Sequence, residues 1–221
     1  MRIPVMKKIF DDLYQTEKNQ PFPGMQAFAY YLLSSEGNSL IYNGGSERDL
    51  NEIQELGGLN YQFLSHRDEI SPHLKTIKNR FYSRLCCHKN TQVLVEKVTA
   101  VDQVNSRREI HSTKIEIIPT PGHTDGCISF FYKSPTGYSY LFTGDLISMS
   151  GKGWDTFIIP GRGGGPEGVL DSMRIYRQLS PDVVIPSGSS DGSPTFFKFS
   201  QEEWVKSIDN YIERLQNDLG V

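Results

Sequence analysis

Two short stretches of this chain carry side chains that could hold a metal ion. Pro121-Gly122-His123-Thr124 follows the apolar run Ile115-Glu116-Ile117-Ile118-Pro119-Thr120, and Phe142-Thr143-Gly144-Asp145 follows Tyr138-Ser139-Tyr140-Leu141. In each, a strand-like run stops at a glycine and delivers one ligand-type residue. Glycine lets the backbone turn sharply, so a histidine and an aspartate delivered in this way suit an ion held at the edge of a sheet. A third segment of the same character, Ser65-His66-Arg67-Asp68, stands upstream. Each signal is weak alone; in this order they point to one constellation.

Positioning them requires alternating strands and helices. Met25–Leu33 and Leu40–Tyr42 read as paired strands across a turn at Glu36-Gly37-Asn38. Ser46-Glu47-Arg48-Asp49 opens a helix as a capping box, with Leu50 and Ile53 as its apolar stripe and Gly57-Gly58 at its end. Strand Tyr61–Leu64 leads into His66, and Ser71-Pro72 starts a helix bearing Leu74 and Ile77. Strands follow near Phe81–Cys86, Lys114–Pro119, Cys127–Tyr132 and Tyr138–Phe142, with a short helix or turn after the first. Pro166–Leu179 has helical spacing, and Asp182–Ile185 reads as a short buried strand. A second capping box, Ser200-Gln201-Glu202-Glu203, opens a last helix striped with Trp204, Ile208, Tyr211, Ile212 and Leu215. No repeat or linker divides the chain, so residues 1–221 read as a single domain.

Composition narrows the function. A hydrophobic share of 37% and a charged share of 22% are those of an ordinary globular protein. The net charge of −3, with no basic block, gives no electrostatic footprint for nucleic acid. No apolar run is long enough for a membrane span, and the start, Met1-Arg2-Ile3-Pro4-Val5-Met6-Lys7-Lys8, is too short and broken for a leader, so no membrane partner is expected. Three cysteines, two of them adjacent, make no disulfide framework; a reducing cytoplasm is the expected setting.

The order and spacing of these motifs resemble the metallo-β-lactamase-fold superfamily, which includes the glyoxalase II type hydrolases. The resemblance covers most of the chain, from about Met25 to the last helix, and implies an α/β fold, a four-layer αββα sandwich with a metal site at one edge. Members carry a Thr-His-x-His-x-Asp-His segment, a Pro-Gly-His-Thr segment, a Thr-Gly-Asp segment and a late His after a short strand. His123 and Asp145 match directly. His66 falls on the first early His, Asp68 on the second, and Ile70 and Ser71 on the Asp-His pair; in a related pattern, His-Arg-Asp-Asp-x-x-Asp-His, His73 would be the displaced ligand. Gly188, after Val183-Val184-Ile185-Pro186-Ser187, stands in place of the late His.

The resemblance therefore implies one divalent ion held by His66, Asp68, His123 and Asp145. Three or four protein ligands suffice for one ion, and a catalytic site keeps a position open for water. A second ion would have to share Asp145 and take His73, with Asp191 as its one further donor, too few ligands to expect two ions. Two histidines and two carboxylates do not choose sharply among metals; zinc is expected, with iron or manganese as alternatives. Such an ion activates water and polarises the bond under attack. Asp145 would hold it, and Asp68 would be either a ligand or the base taking the water's proton.

Other polar residues receive plainer readings. Cys86 and Cys87 read as small buried hydrophobes, and His111 as solvated. Gly161-Arg162-Gly163-Gly164-Gly165 reads as a flexible connector before a helix, an anion cradle being the alternative. Trp154 and Phe157 could roof a pocket or pack in the core. The expected function is hydrolysis of a small-molecule ester or thioester. The alternative is a catalytically inactive member that binds a ligand or partner in the former cleft. A di-iron redox role ranks last, for want of ligands.

Overall fold

The computed structural model describes residues 5–220; residues 1–4, part of the start discussed above, lie outside the described residues. The architecture follows from strands that are apolar on both faces. Ile117, Phe130, Phe142, Val183 and Ile185 belong to one buried cluster, whereas their neighbours Ile118, Phe131, Leu141 and Val184 belong to another. Successive side chains of a strand point to opposite faces, so these strands must be covered on both sides.

Seven strands form the first sheet, in the spatial order Lys7–Lys8, Leu13–Gln15, Tyr30–Leu32, Ser39–Ile41, Tyr61–Phe63, Arg84–His88 and Gln103–Asn105. Six form the second: Phe197–Lys198, Val183–Pro186, Ser139–Gly144, Ile128–Lys133, Glu116–Pro119 and Glu109–Ile110. The sheets face each other across the first cluster, to which the N-terminal sheet contributes Tyr30, Leu32, Leu40, Ile41 and Phe63. Among the described residues the α-helices are α1 (Glu47–Glu55), α2 (His73–Phe81), α3 (Lys89–Val95), α4 (Pro166–Tyr176) and α5 (Gln201–Leu219). Leu74 of α2 and Val95 of α3 pack with Leu64, Leu85 and Cys87 outside the first sheet. Val169, Met173 and Tyr176 of α4 and Trp204 and Ile208 of α5 cover the second. This is the αββα sandwich the motifs implied. Both capping boxes form, Ser46 with Asp49 and Ser200 with Glu203.

Parallel pairing sets where the site falls. Ser39–Ile41, Tyr61–Phe63 and Arg84–His88 run parallel, as do Ser139–Gly144 and Val183–Pro186, so each pair needs a crossover, supplied by α1, α2 and α4. Their carboxyl ends consequently gather at one edge, the usual place for a site in such sheets. Tyr42 joins the two sheets there: its hydroxyl donates to the Ile185 carbonyl at 2.6 Å and accepts from the Gly144 amide at 2.9 Å.

Several expectations are corrected. Met25–Leu33 is two strands: Met25–Ala27 pairs with Gly188–Ser190, and only Tyr30–Leu32 joins the first sheet. Phe81 ends α2, because Tyr82 adopts a left-handed conformation, and the next strand starts at Arg84. His111 is buried, not solvated. Its Nε2 donates to Gln103 at 3.0 Å, its Nδ1 is met by Thr113, and its ring stands edge-on to Tyr61 and Phe63. Trp154 is core, packed against Trp204.

Candidate metal centre

Each candidate ligand leaves a strand at the shared edge. His66 and Asp68 follow Tyr61–Phe63, Asp68 lying on a one-turn 3-10 segment, Arg67–Glu69. His123 follows Glu116–Pro119 and Asp145 follows Ser139–Gly144. The turns bearing His66 and Asp145 touch. Gly144 has φ +58°, and a Cβ built there would lie 2.4 Å from Ser65 Oγ, so glycine is demanded by both conformation and space.

The four side chains converge. One ligand atom each of His66, Asp68 and His123 lies within 4.8 Å of the others. Asp145 Oδ2 is 3.1 Å from His66 Nε2 and 3.9 Å from His123 Nε2, and Asp68 Oδ2 is 3.4 Å from His123 Nε2. The imidazole rings meet edge to face at 5.1 Å.

Their outer atoms explain the convergence. His123 Nδ1 lies 2.5 Å from the Phe157 carbonyl, which only accepts, so Nδ1 carries a proton and Nε2 is the nitrogen left facing the group. Ser65 donates its hydroxyl proton to Glu69, leaving its oxygen free to accept from His66 Nδ1 at 2.8 Å; Glu69 itself is 3.3 Å from that nitrogen. Asp145 turns Oδ1 to the Ser187 hydroxyl, and Asp68 turns Oδ1 to the Arg162 guanidinium. Metal-binding histidines characteristically give their second ring proton to such a partner. Both Nε2 atoms are buried and make no hydrogen bond, despite the nearby carboxylates. A buried nitrogen without a partner is costly, and a divalent cation taking the place of a proton at these nitrogens would satisfy them. The donor set fits a metal ion.

The electrostatics agree. Burial opposes charge on His66, yet Asp145 and Glu69 raise its pKa well above the ordinary value. Burial would likewise raise Asp145, but His66 and the Ser187 hydroxyl hold it far below the usual carboxylate range. Asp68 is lowered by its contact with His123, against some desolvation, and further by His66 and Arg162. Glu69 is raised, mainly by burial. The pocket is thus one in which positive charge is favoured at the point the imidazoles face.

Of the candidates, His66, Asp68, His123 and Asp145 come together. His73 does not join them. It opens α2 and lines a cavity of about 630 Å³ with Glu17, Asn43, Ser46 and Ser71. Asp191 pairs with Lys18 at 2.9 Å. Gly188 faces the group: a Cβ there would lie 3.9 Å from Asp145 Oδ1. Cys86 and Cys87 are buried and free, and His88 caps α3 by accepting from the Asn90 amide. The glycine run is no loose connector, since Gly164 packs onto the His123 carbonyl. Reading for ligand types missed Ser65, Glu69, Ser187 and Arg162. Ser65 and Glu69 flank the His66 segment, Ser187 precedes Gly188 and Arg162 lies in the glycine run, but no pattern in the sequence marks any of them as the partner of a ligand.

Residues 31–188 match the family model described as the Metallo-beta-lactamase superfamily. Among solved structures, a metallo-beta-lactamase from Pontibacter korlensis superposes with a TM-score of 0.72 at 16% identity, over 96% of this chain and 98% of that one. One from Cronobacter sakazakii, with a HARLDQ motif, gives 0.69 at 13%, over 98% and 96%. A subclass B3 enzyme of Bradyrhizobium japonicum gives 0.67 at 15%, over 98% and 94%. At such identities the likeness concerns the fold.

Proposed function

The chain belongs to the metallo-beta-lactamase superfamily, and from that premise we propose that it is a hydrolase working with one divalent ion, zinc in preference to iron or manganese, on a small ester or thioester of the kind glyoxalase II enzymes cleave. The observation that carries this reading is the pair of buried, unpartnered Nε2 atoms of His66 and His123, flanked by two ionised carboxylates. When bound, the ion lowers the pKa of water and polarises the carbonyl under attack. His66, His123 and Asp145 are the residues to hold it from the protein side. Asp68, on the exposed turn, closes the remaining side. Its lowered pKa keeps it anionic at neutral pH, as an oxygen ligand or as acceptor of the proton released by the attacking water.

Beside the group, Phe157 exposes its ring while its carbonyl holds His123. On the other side, Met25 Cε lies near the space above Gly188. These two side chains support an apolar acyl group entering between them. Among the described residues no helix is long and apolar enough to cross a membrane. The free, buried cysteines support a reducing, cytoplasmic setting.

Elemental mass spectrometry of the purified protein, beside His123→Ala and Asp145→Ala, tests the ion: about one equivalent is expected in the first and none in either variant. The zinc-loaded protein is then assayed on aryl esters and thioesters, with turnover expected to disappear in His123→Ala. Metal without turnover on any of them would favour a binding role, the reading that Ile70, Ser71 and Gly188 at family ligand positions also support. No metal at all would overturn the proposal.

A further inference from the structure

We propose that Arg162 is a positioning residue for Asp68, an inference that rests on the one-ion reading. Each of the other three candidate ligands has its outer atom held from within the fold: His66 by Ser65 and Glu69, His123 by the Phe157 carbonyl, Asp145 by Ser187. Asp68 differs. It stands on an exposed 3-10 turn, and its outer oxygen is held by Arg162 Nη1, from a loop 94 residues further along the chain. With Oδ1 so engaged, Oδ2 is the oxygen left facing His123 Nε2, at 3.4 Å.

Arg162 is itself exposed, but its backbone is clamped to the turn that carries another ligand. The Asp125 amide donates to the Arg162 carbonyl at 3.1 Å, the Ile159 amide to His123 at 3.0 Å, and the Gly165 amide to Gly122 at 3.0 Å. A Cβ at Gly164 would lie 2.3 Å from the His123 carbonyl oxygen, so a glycine lets the loop come this close. The Gly161–Gly165 run thereby places a guanidinium over the open side of the group. Asp68 occupies the place of a family histidine. An imidazole is long and rigid, and fixes its inner nitrogen once its outer one is bonded. A carboxylate on an exposed turn rotates freely unless a fixed donor holds one oxygen, and a guanidinium is a planar, permanently charged donor.

The opposite role is physically distinct. An arginine that merely neutralised Asp68 would compete with a cation for it, and its removal would tighten metal binding. Zinc affinity, measured on the full-length protein by competition with a chromophoric chelator, separates the two. Arg162→Gln is expected to weaken zinc by about tenfold or more, the usual cost of losing a partner behind a ligand, and Arg162→Lys to recover part of it. In an Asp68→Asn background, Arg162→Gln should cause no further loss. Unchanged or tighter binding in Arg162→Gln, or an equal loss in the Asp68→Asn background, would overturn the proposal while leaving the one-ion reading intact. Wild-type protein that binds no zinc would overturn both. Melting of the zinc-free variants, expected within a few degrees of wild type for an exposed side chain, controls for folding.

Discussion

On one side of the cleft, His66, His123, Asp145 and Asp68 turn ring nitrogens and carboxylate oxygens toward one another, each with its outer atom held. On the other side, at the places of the family's Asp-His pair and late His, stand Ile70, Ser71 and Gly188. There the polar groups have turned elsewhere. Ser71 accepts from Asn43 Nδ2 at 3.0 Å, and the same nitrogen reaches the Glu69 carbonyl at 2.7 Å, on the wall of the cavity that His73 also lines. The contrast is between a side whose ligand atoms are each held from behind and a side whose corresponding positions carry no metal-ligand side chain. A ligand whose outer atom is satisfied can afford a bare inner lone pair, because the second partner is supplied by the ion; without both, a buried polar group is a liability.

The most damaging way to break the complete half is Gly144→Ala. The new methyl would meet Ser65 Oγ at a residue held at positive φ, so a loss of about 3 kcal/mol in chemical denaturation and a sharp fall in zinc content are expected. Gly188→His probes the other half. A side chain there has room and points at Asp145, so zinc should rise from about one equivalent toward two by elemental analysis; a value still at one would show that Ile70 and Ser71 also block the second ion. Ser187→Ala is a milder cut. It frees Asp145 Oδ1, and zinc affinity in chelator competition should fall about tenfold with little change in melting temperature. His73→Ala should do least, leaving zinc stoichiometry and affinity as in the wild type; a loss of metal would place His73 in the site and erase the contrast drawn here.

Much of this was open to a reader of the chain alone. His123 and Asp145 announce themselves because a strand that ends in a glycine turn is a local pattern, and both capping boxes were readable for the same reason. The convergence of His66 with them followed from motif order. His111 misled because its neighbours are polar, while the aromatic rings of Tyr61 and Phe63 that bury it come from a remote strand. Ser187 gave no sign, being an ordinary residue type until it is set beside Asp145, and Arg162 read only with its glycine run, as a connector or an anion cradle, until it is set beside Asp68. The glycine run looked like slack, and its close packing on the His123 turn depends on a contact between distant segments.

By itself the sequence determined the alternation of strands and helices, the helix starts, and the glycine turns that deliver His123 and Asp145, because these rest on period, capping and turn chemistry within a few neighbouring residues; His66 and Asp68 joined them, with His73 as a further candidate, through the resemblance to the family. Only the tertiary structure decided which nitrogen and which oxygen each ligand presents. That choice is made by what binds the opposite atom, a carbonyl at 157, hydroxyls at 65 and 187 and a guanidinium at 162, and three of those four partners reach their ligands only when the two sheets and their loops have closed.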